Sequence, residues 1–481
     1  MRFRTTLLLL LVVAGLGAYV YWVEYPKSQQ EAKKKTLFEF TAGDVTAVTL
    51  TYTDREIALQ RQGDSWRLTK PSDLAADTTT ANNLVNAIAE CEVVKEVAEG
   101  TADVAQYGLD KPLVTIKVSL KDRDLPTISV GKNTPVGFST YVQRGDDKKI
   151  LLTSSAFRSG MDKQIKDLRD KTILAFADAD VNQIELRGAD RLVRLSKTKD
   201  AWQIDEPGPF KADATAVRSF LSTLRSMRAI DFPSDQPTDL GQFGLDAPQV
   251  VVTLRVGANN AEQTVRLGKK GEKNELYLQT AAAPTVYTVS DWVLRDLDKS
   301  VNDLRDKTLL TFDRDALTAI EVRRRDEDTF RLVRGADKKW HLEGSDGQPA
   351  EMALNTFVTD LHDLKGYDIL ADAPTDLAQL GLADPALKIT LVGEANAPVG
   401  TVLIAERSLA DGKKEYPTMV EGGSTVYTIR DYVFTRLDKQ RSQFIVQPRP
   451  TVGPGTPAAA AQGAEEESGE IGDLPEDEPV E

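Results

Sequence analysis

A chain of 481 residues with 41% hydrophobic content holds apolar material for about three domains of ordinary size, which excludes a wholly unfolded polypeptide. The formal net charge is −14, and nine acidic residues with no basic one lie from Glu465 onward, so nucleic acid is not an expected partner. A single cysteine excludes an internal disulfide and leaves the redox compartment open.

The chain opens MRFRTTLLLLLVVAGLGAYVYWVEYPK, with Arg2 and Arg4 ahead of an uncharged run of nineteen residues, 5–23. As a helix that run spans roughly 28 Å, about one hydrocarbon core. Tyr19, Tyr21 and Trp22 sit at its far end, where an aromatic belt belongs. A cleaved signal peptide has an apolar region of about 7–15 residues and a small-residue cleavage site, whereas this run is longer and its exit is bulky. The expectation is an uncleaved transmembrane anchor at 5–23 after a cytoplasmic stub at 1–4, with a linker at 24–34. No cysteine lies near it, so no lipid-modified N-terminus is expected. Lys27 and 33–35 partly balance the two arginines, but a short, purely basic stub favours the cytoplasm. That places the protein in the cytoplasmic (inner) membrane as a single-pass protein, its bulk extracytoplasmic.

Internal repetition follows. Lys-Thr-Φ-Φ-x-Phe (Φ apolar) begins at Lys35, Lys171 and Lys307, at intervals of 136 residues. SWRL, AWQI and KWHL carry Trp66, Trp202 and Trp340, and AQYGLDKP, GQFGLDAP and AQLGLADP carry Gly108, Gly244 and Gly381. An interval this long exceeds a solenoid repeat of about 20–50 residues and matches a common domain size. The chain is divided into tandem units at 35–170, 171–306 and 307–445, followed by a Pro-, Gly-, Ala- and Glu-rich tail at 446–481 expected to be disordered.

Within the first unit, VTAVTLTY, REIALQR and SWRLTK read as short antiparallel strands, followed by a helix. Four more strands come next, LVTIKVSLK, TISVGK, TYVQRG and KILLTS, and a second helix closes the unit. The class is α+β, an antiparallel sheet with packed helices in three tandem copies. The closing helix of the second unit is expected to start after Ser290 as N-cap and to bury Val293, Leu297, Val301 and Leu304, matched by Phe157, Met161, Ile165 and Leu168.

LRDKTIL at 168–174 recurs as LRDKTLL at 304–310. Two such copies are either two active sites or two seams. The helix places them as a last turn running into the next unit, with Arg169 and Lys171 near the negative end of the helix dipole. The motif is missing after the third unit, which ends LDKQRSQFIV. A seam motif vanishes at the last copy, and a catalytic one has no reason to.

The remaining motifs have structural readings. Asp103, Asp239 and Asp376 cap a helical turn that Gly108, Gly244 and Gly381 end in the left-handed region, and Pro112, Pro248 and Pro385 stand at the start of a strand. Gly131-Lys132 and Gly268-Lys269 lie between strand patterns, so they read as hairpin turns rather than phosphate loops. Lys269, Lys270 and Lys273 form a basic tip that could meet an anionic envelope component, though a charge cluster on a hairpin is ordinarily just solvated. Cys91 has Met227 and Leu364 as counterparts and reads as a core side chain on the first helix. His341 and His362 fall on solvent faces, without partners at metal or general-base spacing. Carboxylates are plentiful, but no pair stands out. No catalytic, cofactor-binding or metal-binding residue is assigned, and no cofactor is expected.

The order of motifs resembles the bacterial proteins of domain-of-unknown-function family 4340. It rests on the basic start and apolar run, Trp66 and Trp202 before a helix, Tyr107 to Pro112 and Phe243 to Pro248, the Gly-Lys pairs, and Tyr141 and Tyr277. The third unit departs from it, with Gly-Leu-Ala-Asp-Pro and with Ala405-Glu406 in place of Gly-Lys. The resemblance implies an envelope protein associated with ABC-type transport systems, with no established catalytic residues. The expected function is a non-enzymatic accessory or scaffold of a membrane transport complex, with transporter subunits as partners. The alternative is an envelope ligand-binding module for a glycan or peptide.

Overall fold

The computed structural model describes residues 35–446 except 99–102, 146, 148, 200, 326 and 328. The expected stub, anchor and linker at 1–34 and the expected tail beyond 446 lie outside the described residues.

The first repeat runs β1 (Val45–Thr51), β2 (Glu56–Gln62), β3 (Ser65–Lys70), β4 (Leu74–Ala75), α1 (Thr78–Ala89) and β5 (Lys95–Ala98). It continues β6 (Val114–Leu120), β7 (Ile128–Asn133), β8 (Ser139–Arg144), β9 (Ile150–Ser154), α2 (Ser155–Met161) and α3 (Ile165–Leu168). The strands form one nine-stranded antiparallel sheet in the order β4-β3-β2-β1-β6-β7-β8-β9-β5. Alternation decides which face is buried: Val48 and Leu50 point inward, and a register shift between Val45 and Ala47 brings Val45 to the same side. The Asp77 carboxylate starts α1 by accepting from the Thr80 N–H, and Ala81, Leu84, Val85 and Ile88 form its buried stripe. That stripe joins Trp66, Leu68, Phe157, Met161 and Leu168 in one core.

The second repeat has the same plan: β10 (Val181–Arg187), β11 (Leu192–Thr198), β12 (Ala201–Glu206), β13 (Phe210–Lys211), α4 (Ala214–Ser226) and β14 (Asp231–Ser234). Then come β15 (Val250–Val256), β16 (Ala261–Lys270), β17 (Glu275–Thr280), β18 (Val286–Ser290), α5 (Trp292–Leu297) and α6 (Val301–Leu304). Its sheet order is β13-β12-β11-β10-β15-β16-β17-β18-β14. The third repeat has β19 (Ala319–Arg324), β20 (Phe330–Arg334), β21 (Trp340–Leu342), α7 (Glu351–His362), β22 (Asp368–Asp372), β23 (Leu387–Val392) and β24 (Pro398–Ile404). It ends with β25 (Arg407–Ser408), β26 (Lys414–Val420), β27 (Thr425–Ile429) and α8 (Asp431–Leu437). Its order is β21-β20-β19-β23-β24-β26-β27-β22, with β25 beside β26.

The three sheets match three tandem repeats of an α+β fold. Short strands on both sides of the first helix, β4 and β5 in the first repeat and β13 and β14 in the second, extend those two sheets beyond the seven strands expected from alternation, whereas the third adds β22 after its helix and β25 beside β26. The first two repeats form one compact unit ending at Asp306, and the third forms another from Lys307. Among the described residues no helix is long and apolar enough to cross a membrane.

The single closing helix is corrected. In the second repeat it is two short helices: α5 begins after Asp291 rather than Ser290 and ends at Leu297, and α6 begins after Ser300. Ser300 and Asp303 cap each other's backbone, as Gln164 and Asp167 do ahead of α3, and those caps start a new helix instead of continuing the old one. The apolar positions still reach the core, because Val293, Leu297 and Leu304 are buried on both sides of the break. Of each heptapeptide only the leading leucine is helical, and Arg169 and Arg305 are extended.

Candidate functional site

The heptapeptide faces two ways. Its first half closes its own repeat: the Leu168 carbonyl accepts from the Asp77 N–H at 2.9 Å, and the Asp170 N–H donates to the Ala75 carbonyl at 2.9 Å, beside the N-terminus of α1. Its second half opens the next repeat, since the Lys171 carbonyl accepts from the Ala229 N–H at 2.8 Å, just past α4. Arg169 crosses between the two repeats. It is buried, its guanidinium lies 3.9 Å from the Phe232 ring centroid, and it forks onto the Asp235 carboxylate, which also accepts from the Thr285 hydroxyl at 3.2 Å. Beside it Lys166 Nζ is 2.6 Å from Asp231 Oδ2, and that hydrogen bond raises the lysine pKa above its ordinary value. The 430 Å³ hollow lined by these residues has both its cations paired.

In the second repeat the clasp recurs, with Asp213 N–H on the Leu304 carbonyl at 2.8 Å, Asp306 N–H on the Lys211 carbonyl at 2.8 Å and Arg305 stacked 3.8 Å from the Phe210 centroid. The third repeat keeps the backbone pattern without the charged sequence: Ala350 N–H meets the Phe444 carbonyl at 2.9 Å and Val446 N–H meets the Gln348 carbonyl at 2.8 Å.

The Asp-to-Gly loop is a capped 3-10 turn in the first two repeats and a plain turn in the third, where Asp376 accepts from the Ala378 N–H at 2.9 Å. Asp103 and Asp239 each accept from a backbone N–H two residues on, at 3.1 and 2.8 Å, and Gly108, Gly244 and Gly381 have φ of +68°, +66° and +72°. Gly131 and Gly268 are not in the hairpin turns, which corrects the expectation for the Gly-Lys pairs. Both lie within strands β7 and β16, at register shifts, because the carbonyls of Tyr107 and Phe243 press against them. The loop's aromatic ring packs edge-on against the next strand, Tyr107 on Tyr141 at 4.8 Å and Phe243 on Tyr277 at 5.0 Å. Two motifs that are far apart in sequence are thus halves of one joint.

Cys91 lies past the end of α1, not on it, because α1 stops at Ala89. It is buried, its Sγ is 3.2 Å from the Thr153 hydroxyl, and burial pushes the thiol up to about 11. His341 is 3.3 Å from Asp337, and His362 is half-buried, edge-on to Phe312 at 5.4 Å and 2.7 Å from Asp363, so its ring is partly packed rather than wholly on a solvent face. Lys270 is paired with Asp291 at 3.0 Å.

The third repeat carries a cleft of about 740 Å³ between α7, the end of α8 and the 3-10 turn Arg441–Phe444. Phe357 and Phe444, 5.3 Å apart, form its floor, and Met352, 84% exposed, forms its lip. Arg436 pairs with the nearly buried Asp360 at 3.3 Å on one wall, and Lys439 and Glu351 complete a charged rim. Its lining makes an apolar slot with a polar rim, the arrangement of a binding surface. Met352 occupies the position of Thr79 and Thr215 on the earlier helices, and Asp360 that of Ala87 and Thr223. The signal was present in the sequence as a departure from the repeat, but single exposed substitutions do not show that they converge.

No curated protein matches the chain. A solved structure, the crystal structure of a DnaN sliding clamp (DNA polymerase III subunit beta) from Pseudomonas aeruginosa bound to griselimycin, is similar at 7% identity and a TM-score of 0.11, covering 82% of this chain and 94% of that chain, which is too weak to inform fold or function. A family model described as a domain of unknown function (DUF4340) matches residues 66–201, 202–372 and 340–447. The matches start at the recurrent tryptophans Trp66, Trp202 and Trp340, so each begins inside one sheet and the first two run on into the next. With the match repeated along most of its length, the chain belongs to the DUF4340 family.

Proposed function

We propose that this protein is a non-enzymatic, membrane-anchored, extracytoplasmic accessory or scaffold of a membrane transport complex. The apolar run 5–23 supplies the anchor in this reading, and the repeats present binding surface rather than chemistry. The observation that carries it is the third-repeat cleft, an apolar slot built from residues that break the repeat pattern and suited to a protruding apolar segment of a partner subunit. The recurrent motifs support the same reading, since their residues serve backbone clasps and close packing.

Affinity purification of the full chain in mild detergent tests it, alongside a Met352→Asp variant. The expected result is recovery of identified transport-complex subunits with the parent chain and their loss with the variant. Recovery of none by the parent, or equal recovery by both, overturns it. A reporter fused to the C-terminus tests the topology: activity of a reporter that works only in the cytoplasm would reverse the orientation. The cleft also favours a second reading, an envelope module that binds a peptide or glycan, since its volume falls in the range of about 300–1,000 Å³ typical of ligand sites. Saturable binding of short peptides by the purified chain, abolished by Met352→Asp and without any transport subunit, would favour that reading.

A further inference from the structure

We propose that the turn joining β7 and β8 in the first repeat dips into the surface of the bilayer, giving the protein a second membrane contact besides its anchor. The inference rests on the anchored reading above. Val136 and Phe138 are each 89% exposed, the highest exposure of any large hydrophobic side chain among the described residues. Between them Gly137, at φ +92°, makes a tight turn with open space around it. Single exposed apolar residues are ordinary, but two at the tip of one hairpin are not. The corresponding turns of the other repeats are GEKN at 271–274, which has no apolar side chain, and ERSLADGK at 406–413, where Leu409 is a single large apolar side chain at 39% exposure. The paired apolar tip thus occurs only in the repeat that follows the apolar run.

Charge and position agree. Near the turn, Lys132 and, on helix α2, Arg158 stand with no carboxylate between 125 and 145 or within α2, in a chain of net charge −14, while Arg144 at the far end of the hairpin is paired with Asp147 at 3.1 Å. That balance suits an anionic lipid surface. The chain enters the first repeat at the same end of the sheet: the Lys35 carbonyl accepts from Val93 N–H, Val94 N–H donates to Leu152, and Leu152 pairs with Tyr141, three residues from Phe138. Three strand spacings separate Lys35 from β8, roughly 15 Å. The eleven residues 24–34 reach at most roughly 40 Å when extended, so an anchored chain keeps this end of the sheet within that distance of the lipid.

The test uses the full chain in vesicles of phosphatidylethanolamine and phosphatidylglycerol. An environment-sensitive fluorophore is placed by Val136→Cys, which keeps Phe138, and separately by Phe138→Cys, Ala14→Cys and Asp346→Cys. The native Cys91 is buried and does not compete for label. Labels at 136 and 138 are expected to shift to the blue and lose emission to lipids carrying a shallow spin-label quencher, about 5–10 Å deep, more than to a deep one. The label at 14 is expected to respond to the deep quencher and that at 346 to neither. Quenching at 14 without quenching at 136 and 138 overturns this proposal and leaves the anchor standing. A blue shift at the tip without lipid quenching also overturns it, pointing to a protein contact. No quenching at 14 removes the anchored reading and this one with it.

Discussion

Gly131 and Tyr107 approach so closely that a Cβ built on Gly131 would stand 2.3 Å from the Tyr107 carbonyl oxygen, and Gly268 stands in the same relation to Phe243. Backbone, not a flexible side chain, occupies the space. Gly131→Ala is therefore expected to destabilise the first repeat by about 1–3 kcal/mol, as overpacking does, and Gly268→Ala the second by a similar amount. Urea denaturation of each variant measures it. The third repeat already has Ala405 at this place, buried and 3.2 Å from a Cβ built on Gly381, so its loop has settled differently. Ala405→Gly should leave that joint standing at a cost of about 1 kcal/mol or less.

What the sequence disclosed depended on period. The long strands were legible because alternation persists for five to seven residues, as in VTIKVSL at Val114–Leu120, and the helices because Leu84, Val85 and Ile88 keep one face. Leu74–Ala75 is too short to show any period, and the break between α5 and α6 was hidden because Leu297 and Val301 keep helical spacing across it. The reciprocal cap of Ser300 and Asp303 was the readable sign of that break. The glycines of the Gly-Lys pairs were visible, but what presses on them is a carbonyl more than twenty residues earlier, which no local pattern reveals. The cleft of the third repeat was least legible, because it depends on where α7, α8 and Phe444 meet.

The thiol of Cys91 should make stability fall in alkali. Burial raises it from an ordinary 9.0 to about 11, so below pH 9 both native and unfolded chains hold the proton and nothing changes. Between the two values the unfolded thiol ionises and the native one does not, which lowers stability progressively by roughly 2–3 kcal/mol in all. Tyr52 and Tyr287, also raised by burial, extend the loss to higher pH. Stability measured from pH 8 to 11 should show a shallower decline in Cys91→Ala than in the parent. Identical slopes would refute the assignment. At pH 8 the native thiol should also resist thiol reagents that react once the chain is unfolded.

Arg169 ties the first two repeats through its stacking on Phe232 and its fork onto Asp235. Its side chain is only 10% exposed, whereas Asp235 is 49% exposed, so solvent weakens the charge pair and the ring contact matters more. Arg169→Ala should cost about 1–3 kcal/mol and Asp235→Ala about 1 kcal/mol or less. Arg169→Lys should recover only part of the loss, because an ammonium cannot fork and stacks poorly. A double-mutant cycle of Arg169→Ala with Phe232→Ala should give a coupling of about 1 kcal/mol, and a coupling near zero would remove the ring from the account.

The seam reading of LRDKTIL is open to a direct contrast. Leu168 has no exposed surface, so Leu168→Asp buries an unpaired carboxylate and should cost several kcal/mol. The side chains of Asp170 and Lys171 lie outside the core, and the clasp that Asp170 makes is through its N–H, which alanine retains. Losing its carboxylate removes one contact, to the Thr172 N–H at 2.9 Å. Asp170→Ala with Lys171→Ala should therefore cost about 1 kcal/mol or less. The third repeat makes the same point, because Val446 donates to Gln348 there with no charged residue in the clasp. An active site at this heptapeptide predicts the reverse, with the charge variants folded and inactive and the leucine variant affected less. Thermal unfolding and complementation of a deletion strain, run on both variants, separate the two. A fully folded double-alanine protein without cellular function would show that the heptapeptide does more than join one repeat to the next.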